Sequence, residues 1–256
     1  MTRILIMGLP GSGKTYLANE LKKRLKAKWL NADAVRRKNR DWDFSKEGIL
    51  RQSKRMYDLS KKIKNKFVVV DFICPYEKGR KIFNADFTIW MNTIKKSRYQ
   101  NMNKIFEKPK SFDIEITNKN AKLNSLIISD KLKKYKWNNK KPTSLMMGRF
   151  QPFHDGHRKL FEQILLLNEQ VLIFIKDVYK VGDNPFTFEK IKELINKRLE
   201  NLFKNRYKII KAPNITNVCY GRTVGYKFNH IKLPFKITKI SATKIRKKLR
   251  REGKLK

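Results

Sequence analysis

Long apolar runs are missing from this chain: none approaches the ~20 residues a helix needs to cross a bilayer, which argues against a helical membrane protein. Cysteine is almost absent. Cys74 and Cys219 are far apart and lack metal-ligand spacing, so ordinary thiols in a reduced, cytoplasmic setting are expected. Met1-Thr-Arg-Ile-Leu-Ile-Met-Gly8 leads directly into a glycine-rich turn and is too short to read as a signal peptide. Acidic residues are also few, 22 against 62 Lys and Arg, which leaves a formal net charge of +40. Such a surface attracts polyanions, so non-specific nucleic-acid adhesion is expected at low salt. The lysines are spread along the whole chain with no interleaved aromatic RNA-binding motif, so a biased coding composition is the favoured account of them. Histidine is scarce too: two of the three lie within four residues of each other.

The residues that are present read as two α/β segments in succession. Arg3–Met7, Trp29–Asn31, Phe67–Phe72, Phe87–Met91 and Asp113–Thr117 have strand character, and Phe67–Phe72 is Val-rich enough for an interior parallel strand. Thr15–Leu25 and Lys46–Ile63 have helical spacing. A Lys-rich stretch from Lys131 to Pro142 reads as a linker. The pattern then restarts with strand Ser144–Met147, helix Arg158–Leu167, strand Val171–Ile175, helix Phe188–Phe203 and strand Tyr207–Ile210. Ile240–Arg251 reads as a loop opening a basic helix. The expected organisation is a P-loop parallel-sheet domain over 1–138 followed by a Rossmann-like domain over 143–256.

Gly8-Leu-Pro-Gly-Ser-Gly-Lys-Thr15 fits the P-loop pattern and lies between a strand and a helix. Gly8, Gly11, Ser12 and Gly13 would wrap backbone N–H groups around the phosphates of ATP. Lys14 would neutralise charge on the transferred phosphoryl group, and the Thr15 hydroxyl would ligate Mg²⁺. Asp71, ending an apolar strand, reads either as a more distant Mg²⁺ partner or as a turn cap.

Leu30-Asn-Ala-Asp-Ala-Val-Arg36, Asn39-Arg-Asp-Trp-Asp-Phe-Ser45 and Ile73-Cys-Pro-Tyr76 with Arg80 resemble adenylylsulfate kinase, whose stretches read like L-D-G-D-N-V-R, N-R-D-L-G-F-S and I-S-P-Y-R. The resemblance implies a kinase that phosphorylates a hydroxyl of an adenylylsulfate-like acceptor. In it Asp33 would orient that hydroxyl or help hold Mg²⁺. Arg36 and Arg40 would bind the acceptor's anion, Asn39 would hydrogen-bond it, Phe44 would stack on its ring, and Cys74 and Pro75 would line its site. The family's lid segment R-D-x-K-G-L-Y is missing. Lys95, Lys96 and Arg98 stand in that region, as a replacement cationic lid or as a solvated helix face.

Gly148-Arg-Phe-Gln-Pro-Phe-His-Asp-Gly-His157 contains H-x-G-H. Three apart at a helix start, His154 and His157 can face one phosphate and stabilise attack at an α-phosphate as pyrophosphate leaves. Gly156 allows close approach of the backbone. Gly148–Phe153 and Ile240-Ser-Ala-Thr-Lys-Ile-Arg246 look like the corresponding blocks of nicotinamide-nucleotide adenylyltransferases and their cytidylyltransferase-type relatives. That resemblance implies that Gly148, Arg149 and Phe150 line the nucleotide site. It also implies that Ser241 and Thr243 bind β/γ-phosphates and that Arg246 stabilises the leaving pyrophosphate. ATP is the expected donor, with CTP as the alternative. Tyr220–Tyr226, with Arg222, reads as a turn or as part of the acceptor pocket, and Lys176 and Asp177 fall at a ligand-binding strand end.

A bifunctional, Mg²⁺-dependent transferase with small phosphate- or sulfate-bearing substrates is therefore expected. Two other readings stay open. One joins a nicotinamide riboside kinase to a nicotinamide-nucleotide adenylyltransferase; the other is a nucleic-acid-binding protein with vestigial nucleotide sites.

Overall fold

A computed structural model of the chain describes residues 1–219, 221, 225 and 227–255. They form two compact units, Met1–Lys134 and Tyr135–Lys256.

In the first unit the order is β1 (Thr2–Met7), α1 (Lys14–Leu25), β2 (Lys28–Asn31), α2 (Ala32–Lys38), α3 (Lys46–Lys61), β3 (Phe67–Asp71), α4 (Glu77–Phe83), β4 (Phe87–Met91), α5 (Gln100–Ile105), β5 (Ile114–Ile116) and α6 (Ala121–Lys133). The five strands are all parallel, in the order β2-β3-β1-β4-β5. Alternate residues of β1 face opposite sides, and each side has its own core. Ile4 and Ile6 pack with Leu17, Leu21, Val69, Ile89 and Ile128. Leu5 and Met7 pack with Met56, Val68, Val70, Phe83 and Trp90. A strand buried on both faces has no polar phase, which is why β3 reads FVVVD. Because β1 and β3 are neighbours in register, the sheet's C-terminal edge sets the turn after Met7 beside Asp71.

In the second unit β6 (Ser144–Gly148), α7 (Asp155–Asn168), β7 (Val171–Lys176), α8 (Phe188–Phe203), β8 (Tyr207–Ala212), α9 (Phe235–Thr238) and α10 (Ala242–Arg251) follow. Its sheet has three parallel strands in the order β6-β7-β8. Phe161 and Leu165 of α7, Ile191, Ile195 and Leu199 of α8, and Val171, Ile173 and Ile175 of β7 are all buried. On the opposite phase of the strands, Leu145, Met147 and Ile210 are exposed.

The strands and the helices α1, α3 and α8 lie within two residues of the positions read from sequence; α7 begins at Asp155, three residues before the expected Arg158, and α6 was not read from sequence at all. The short helices α2, α4, α5 and α9 carry too few periodic residues to stand out. The Lys131–Pro142 linker is corrected. Lys131–Lys133 complete α6, Lys134 caps it, and Tyr135–Pro142 belong to the second unit. Fully buried Gln170 accepts from Tyr135 Oη (2.9 Å) and donates to the Asn138 carbonyl (2.9 Å) and Thr143 Oγ1 (2.6 Å). The Arg206 guanidinium lies 3.4 Å over the Tyr135 ring. Among the described residues no helix is long and apolar enough to cross a membrane.

Two candidate anion sites

The first site forms where β1 ends. Gly8, Gly11 and Gly13 have φ of 146°, 81° and 94°, and a Cβ on Gly8 would stand 2.6 Å from the Met91 carbonyl oxygen. Lys14 Nζ donates to the carbonyls of Gly8 (2.9 Å) and Leu9 (2.8 Å), which folds it back over its own loop. Burial pushes its pKa down to about 8, against the raising effects of Asp71 and Asp33. An arriving phosphate would raise it again and hold the ammonium in its charged form. Ser12 is fully buried and its Oγ has no hydrogen-bond partner, an orphan that suits a loop built to close on an anion.

Buried Asp71 collects four side-chain hydrogen bonds. Thr15 Oγ1 donates to Oδ2 (2.9 Å), Trp29 Nε1 to Oδ1 (2.7 Å), and Asn31 Nδ2 to both oxygens (3.1 and 3.2 Å). Only the strand-end position of Asp71 was legible in sequence; its bond to Thr15 and its Trp29 and Asn31 donors were not. Asn31 also accepts from Ala34 N and so caps α2, whose first turn carries exposed Asp33. A hydroxyl with two nearby carboxylates is a hard-oxygen donor set and fits Mg²⁺. Among the described residues no group of three or more His, Cys, Asp or Glu could by itself hold a metal, so the triphosphate would have to supply ligands.

The acceptor side differs from expectation. Arg36 is buried, with NH1 on the carbonyls of Asp41 and Asp43 (both 3.0 Å). It shapes the 41–43 loop, and its guanidinium lies 4.7 Å under the Phe44 ring. Phe44 and Trp42 are 48% and 50% exposed, so the loop presents an aromatic surface, and Trp42 was not anticipated. Asn39 bonds its own helix at the Val35 carbonyl, and Arg40, at φ 49°, is exposed. Cys74 and Pro75 are buried, and burial pushes the Cys74 thiol up to about 12. They belong to the core and do not line a substrate surface. Arg80 grips the carbonyls of Cys74 (3.1 Å) and Pro75 (2.9 Å). Lys95, Lys96 and Arg98 are exposed on a loop after β4, not on a helix. At that loop's root Thr93 Oγ1 donates to the Ser12 carbonyl (2.7 Å), and Ile94 Cδ1 would lie 3.9 Å from a Cβ on Gly11.

The second site forms where β6 ends. His154 is the N-cap of α7: its Nδ1 accepts from Gly156 N (3.1 Å), and His157 Nδ1 accepts from His154 N (3.3 Å). This is a capping box made of two imidazoles. Their rings stack at 3.8 Å, and Phe150 and Phe153 enclose His157 at 5.1 and 5.5 Å. Burial pushes the His157 pKa down to about 3, with His154 adding to the effect. His154 is lowered as well, first by burial, with Asp155 opposing and Arg198 assisting. Both rings are therefore neutral at pH 7. With Nδ1 accepting, each carries its proton on Nε2. A Cβ on Gly156 would stand 2.8 Å from His154 Cε1. Phe150, at φ 50°, is buried and walls His157, so it is not offered to a nucleotide as expected, whereas Arg149 is exposed. A Cβ on Gly148 would meet the Phe150 ring at 2.9 Å.

The C-terminal motif reaches this loop. A Cβ on Gly156 would lie 3.7 Å from the Ile237 carbonyl oxygen just ahead of the motif, and Arg246 NH1 donates to the Gln151 carbonyl. Arg246 is buried, and its NH2 reaches Thr243 Oγ1 at 3.4 Å. Ser241 is the N-cap residue of α10. Asp183, which sequence reasoning passed over, pairs with both Arg246 and Arg250. Asp177 pairs with Lys211 (2.9 Å) at the strand end. The expectation for Arg222 lies outside the described residues.

Residues 1–116 match the adenylylsulphate kinase family. That match takes in the P-loop, Asp33, Asp71 and the aromatic 41–45 loop of the first unit. In the C-terminal part, 74 residues are 35% identical to the nicotinamide-nucleotide adenylyltransferase of Pyrococcus abyssi, and 75 are 36% identical to that of Thermococcus kodakarensis. Each alignment covers 28% of this chain and 40% of the relative, so the chain spans well under half of those proteins. Among solved structures, the Mycobacterium tuberculosis APS kinase CysC in complex with AMPPNP and APS aligns at TM-score 0.45 and 20% identity, over 51% of this chain and 96% of that one. Shikimate kinase from Acinetobacter baumannii in complex with shikimate aligns at TM-score 0.39 and 17% identity, over 52% and 93%.

Proposed function

We propose that this chain is a bifunctional transferase. Its first unit, read as about residues 1–138, moves the terminal phosphoryl of ATP to a hydroxyl of a small anionic acceptor. Its second, read as 143–256, transfers an adenylyl group from ATP to a phosphate-bearing acceptor and releases pyrophosphate. The observation that carries the reading is the coexistence of two unlike anion cradles: a glycine turn with an inward-folded lysine, and a pair of neutral imidazoles at a helix start.

In the first step the P-loop amides and Lys14 hold the β- and γ-phosphates, and Asp33 orients the acceptor hydroxyl. Thr15, backed by Asp71, would hold Mg²⁺, which supplies charge neutralisation on the phosphates. The 42–44 aromatic surface would carry the flat part of the acceptor. In the second step Nε2–H of His154 and His157 donate to the α-phosphate as its charge builds, at the positive end of α7. Ser241, Thr243 and Arg246 would receive the departing phosphates. The family match of residues 1–116 supports an adenylylsulfate-like acceptor for the first step.

A second reading has its own support. Arg36, Cys74 and Pro75, three of the expected acceptor contacts, are turned inward, and the relatives of the second unit are nicotinamide-nucleotide adenylyltransferases. In that reading the first unit phosphorylates a nicotinamide ribonucleoside and the second adenylylates the mononucleotide.

Incubation with ATP and either adenylylsulfate or nicotinamide riboside, followed by mass spectrometry, separates the two. Lys14→Ala should lower ADP formation by ~10²–10³ and spare pyrophosphate release, and His157→Ala should do the reverse. Parallel loss of both activities in either variant would refute two independent sites.

A further inference from the structure

The guanidinium expected to receive pyrophosphate is already occupied. Arg246 Nε donates to Asp183 Oδ2 at 2.8 Å, NH2 lies 2.7 Å from the same oxygen, and NH1 is on the Gln151 carbonyl. Arg250 NH2 holds the other oxygen, Oδ1, at 2.7 Å. Three segments meet here. Gln151 precedes the histidines after β6, Asp183 lies in the loop between β7 and α8, and both arginines come from α10. Gln151 also ties the first two together, because its side chain donates to the Phe186 carbonyl (2.9 Å) and accepts from Phe186 N (2.8 Å).

The loop bearing Asp183 is anchored at one end and open at the other. Asn184 is buried and bonds the Val181 carbonyl. Val181 is 60% exposed, Gly182 has φ 61°, and nothing lies within 4 Å of a Cβ built on it. A carboxylate on such a tip can leave its partner without disturbing the buried base. A diphosphate carries more charge than a carboxylate and can also engage a guanidinium fork through two oxygens.

We propose that Asp183 is a positioning residue that stands in for the leaving phosphates: it folds Arg246 onto the histidine loop and releases the guanidinium when phosphate arrives. This rests on reading the second unit as a nucleotidyltransferase. While Asp183 is bound, the positive charge of Arg246 is offset and α10 is held against the loop. Once phosphate displaces it, the same guanidinium serves the leaving group.

The sign of one effect separates a stand-in from a plain strut. Removing a strut loosens α10 and weakens phosphate binding; removing a competitor strengthens it. The test is calorimetric titration of the full chain with inorganic pyrophosphate, in a Lys14→Ala background that silences the first site. Asp183→Asn and Asp183→Ala should bind about three- to tenfold more tightly than the parent. Equal or weaker binding in folded variants, as judged by thermal melting, overturns the proposal. Hydrogen exchange on the unsubstituted chain gives a second measurement, independent of how the variants fold. Pyrophosphate should speed exchange at 181–184 and slow it in α10, and slowing in both overturns the proposal. Pyrophosphate production from ATP and nicotinamide mononucleotide judges the parent reading separately. Tighter binding in the variants without turnover in the parent would rule out nicotinamide mononucleotide as the acceptor and leave Arg246 as a diphosphate site that Asp183 occupies in the ligand's absence.

Discussion

Gly156 shows how tightly the second site is drawn at single-atom scale. A methyl group there would press on His154 Cε1 at 2.8 Å and Nδ1 at 3.0 Å, and that ring cannot retreat because it stacks on His157. Gly156→Ala should lower pyrophosphate release by ~10² while the chain still folds, checked by steady-state assay beside circular dichroism. At this scale sequence legibility was uneven. The pairing of His154 with His157 followed from spacing alone. The inward turn of Arg36, Cys74 and Pro75 did not, because a motif names residue types and leaves open which face the backbone presents. Asp183 gave no signal at all, since its partners lie 63 and 67 residues away.

Among the elements, the segment leading into β6 matters more to the second unit than its Lys-rich composition suggested. It reads as a linker because nothing in Tyr-Lys-Trp-Asn-Asn-Lys-Lys-Pro announces that Gln170, one residue before β7, will gather its polar groups. Gln170→Ala would strand the Asn138 carbonyl and free the Tyr135 hydroxyl, at a cost of about 2 kcal/mol. A lower urea midpoint followed through Trp137 would register that cost, with the midpoint of the first unit unchanged. The strands were legible for the opposite reason: a parallel strand buried on both faces must be apolar throughout, as in β3. The C-terminal helix α10 was legible as a basic helix, but its attachment to the histidine loop through Arg246 was not.

For the whole molecule, acid should act on stability before it acts on the carboxylates. Burial lowers the pKa of both His154 and His157 below the ordinary 6.5, His157 to about 3. Below pH 6.5 the unfolded chain takes up protons that the folded rings refuse, so the histidine contribution to stability falls as pH drops through that window and is constant above it. Urea unfolding at about pH 7.5 and about pH 5 should show the loss, and His157→Gln should diminish it. The two-unit plan was readable from the restart of the strand-helix pattern after Pro142, although the dividing point falls earlier, at Lys134.

The imidazole capping box also fixes the proton inventory of the second site. Each Nδ1 lone pair is committed to a backbone amide, and each remaining nitrogen carries hydrogen. Neither ring has a basic nitrogen left to accept a proton from an incoming nucleophile. An acceptor that needed deprotonating would find no help here, whereas a phosphate monoester arrives already ionised. The chemistry open to this loop is thereby narrowed to nucleophiles that bring their own negative charge.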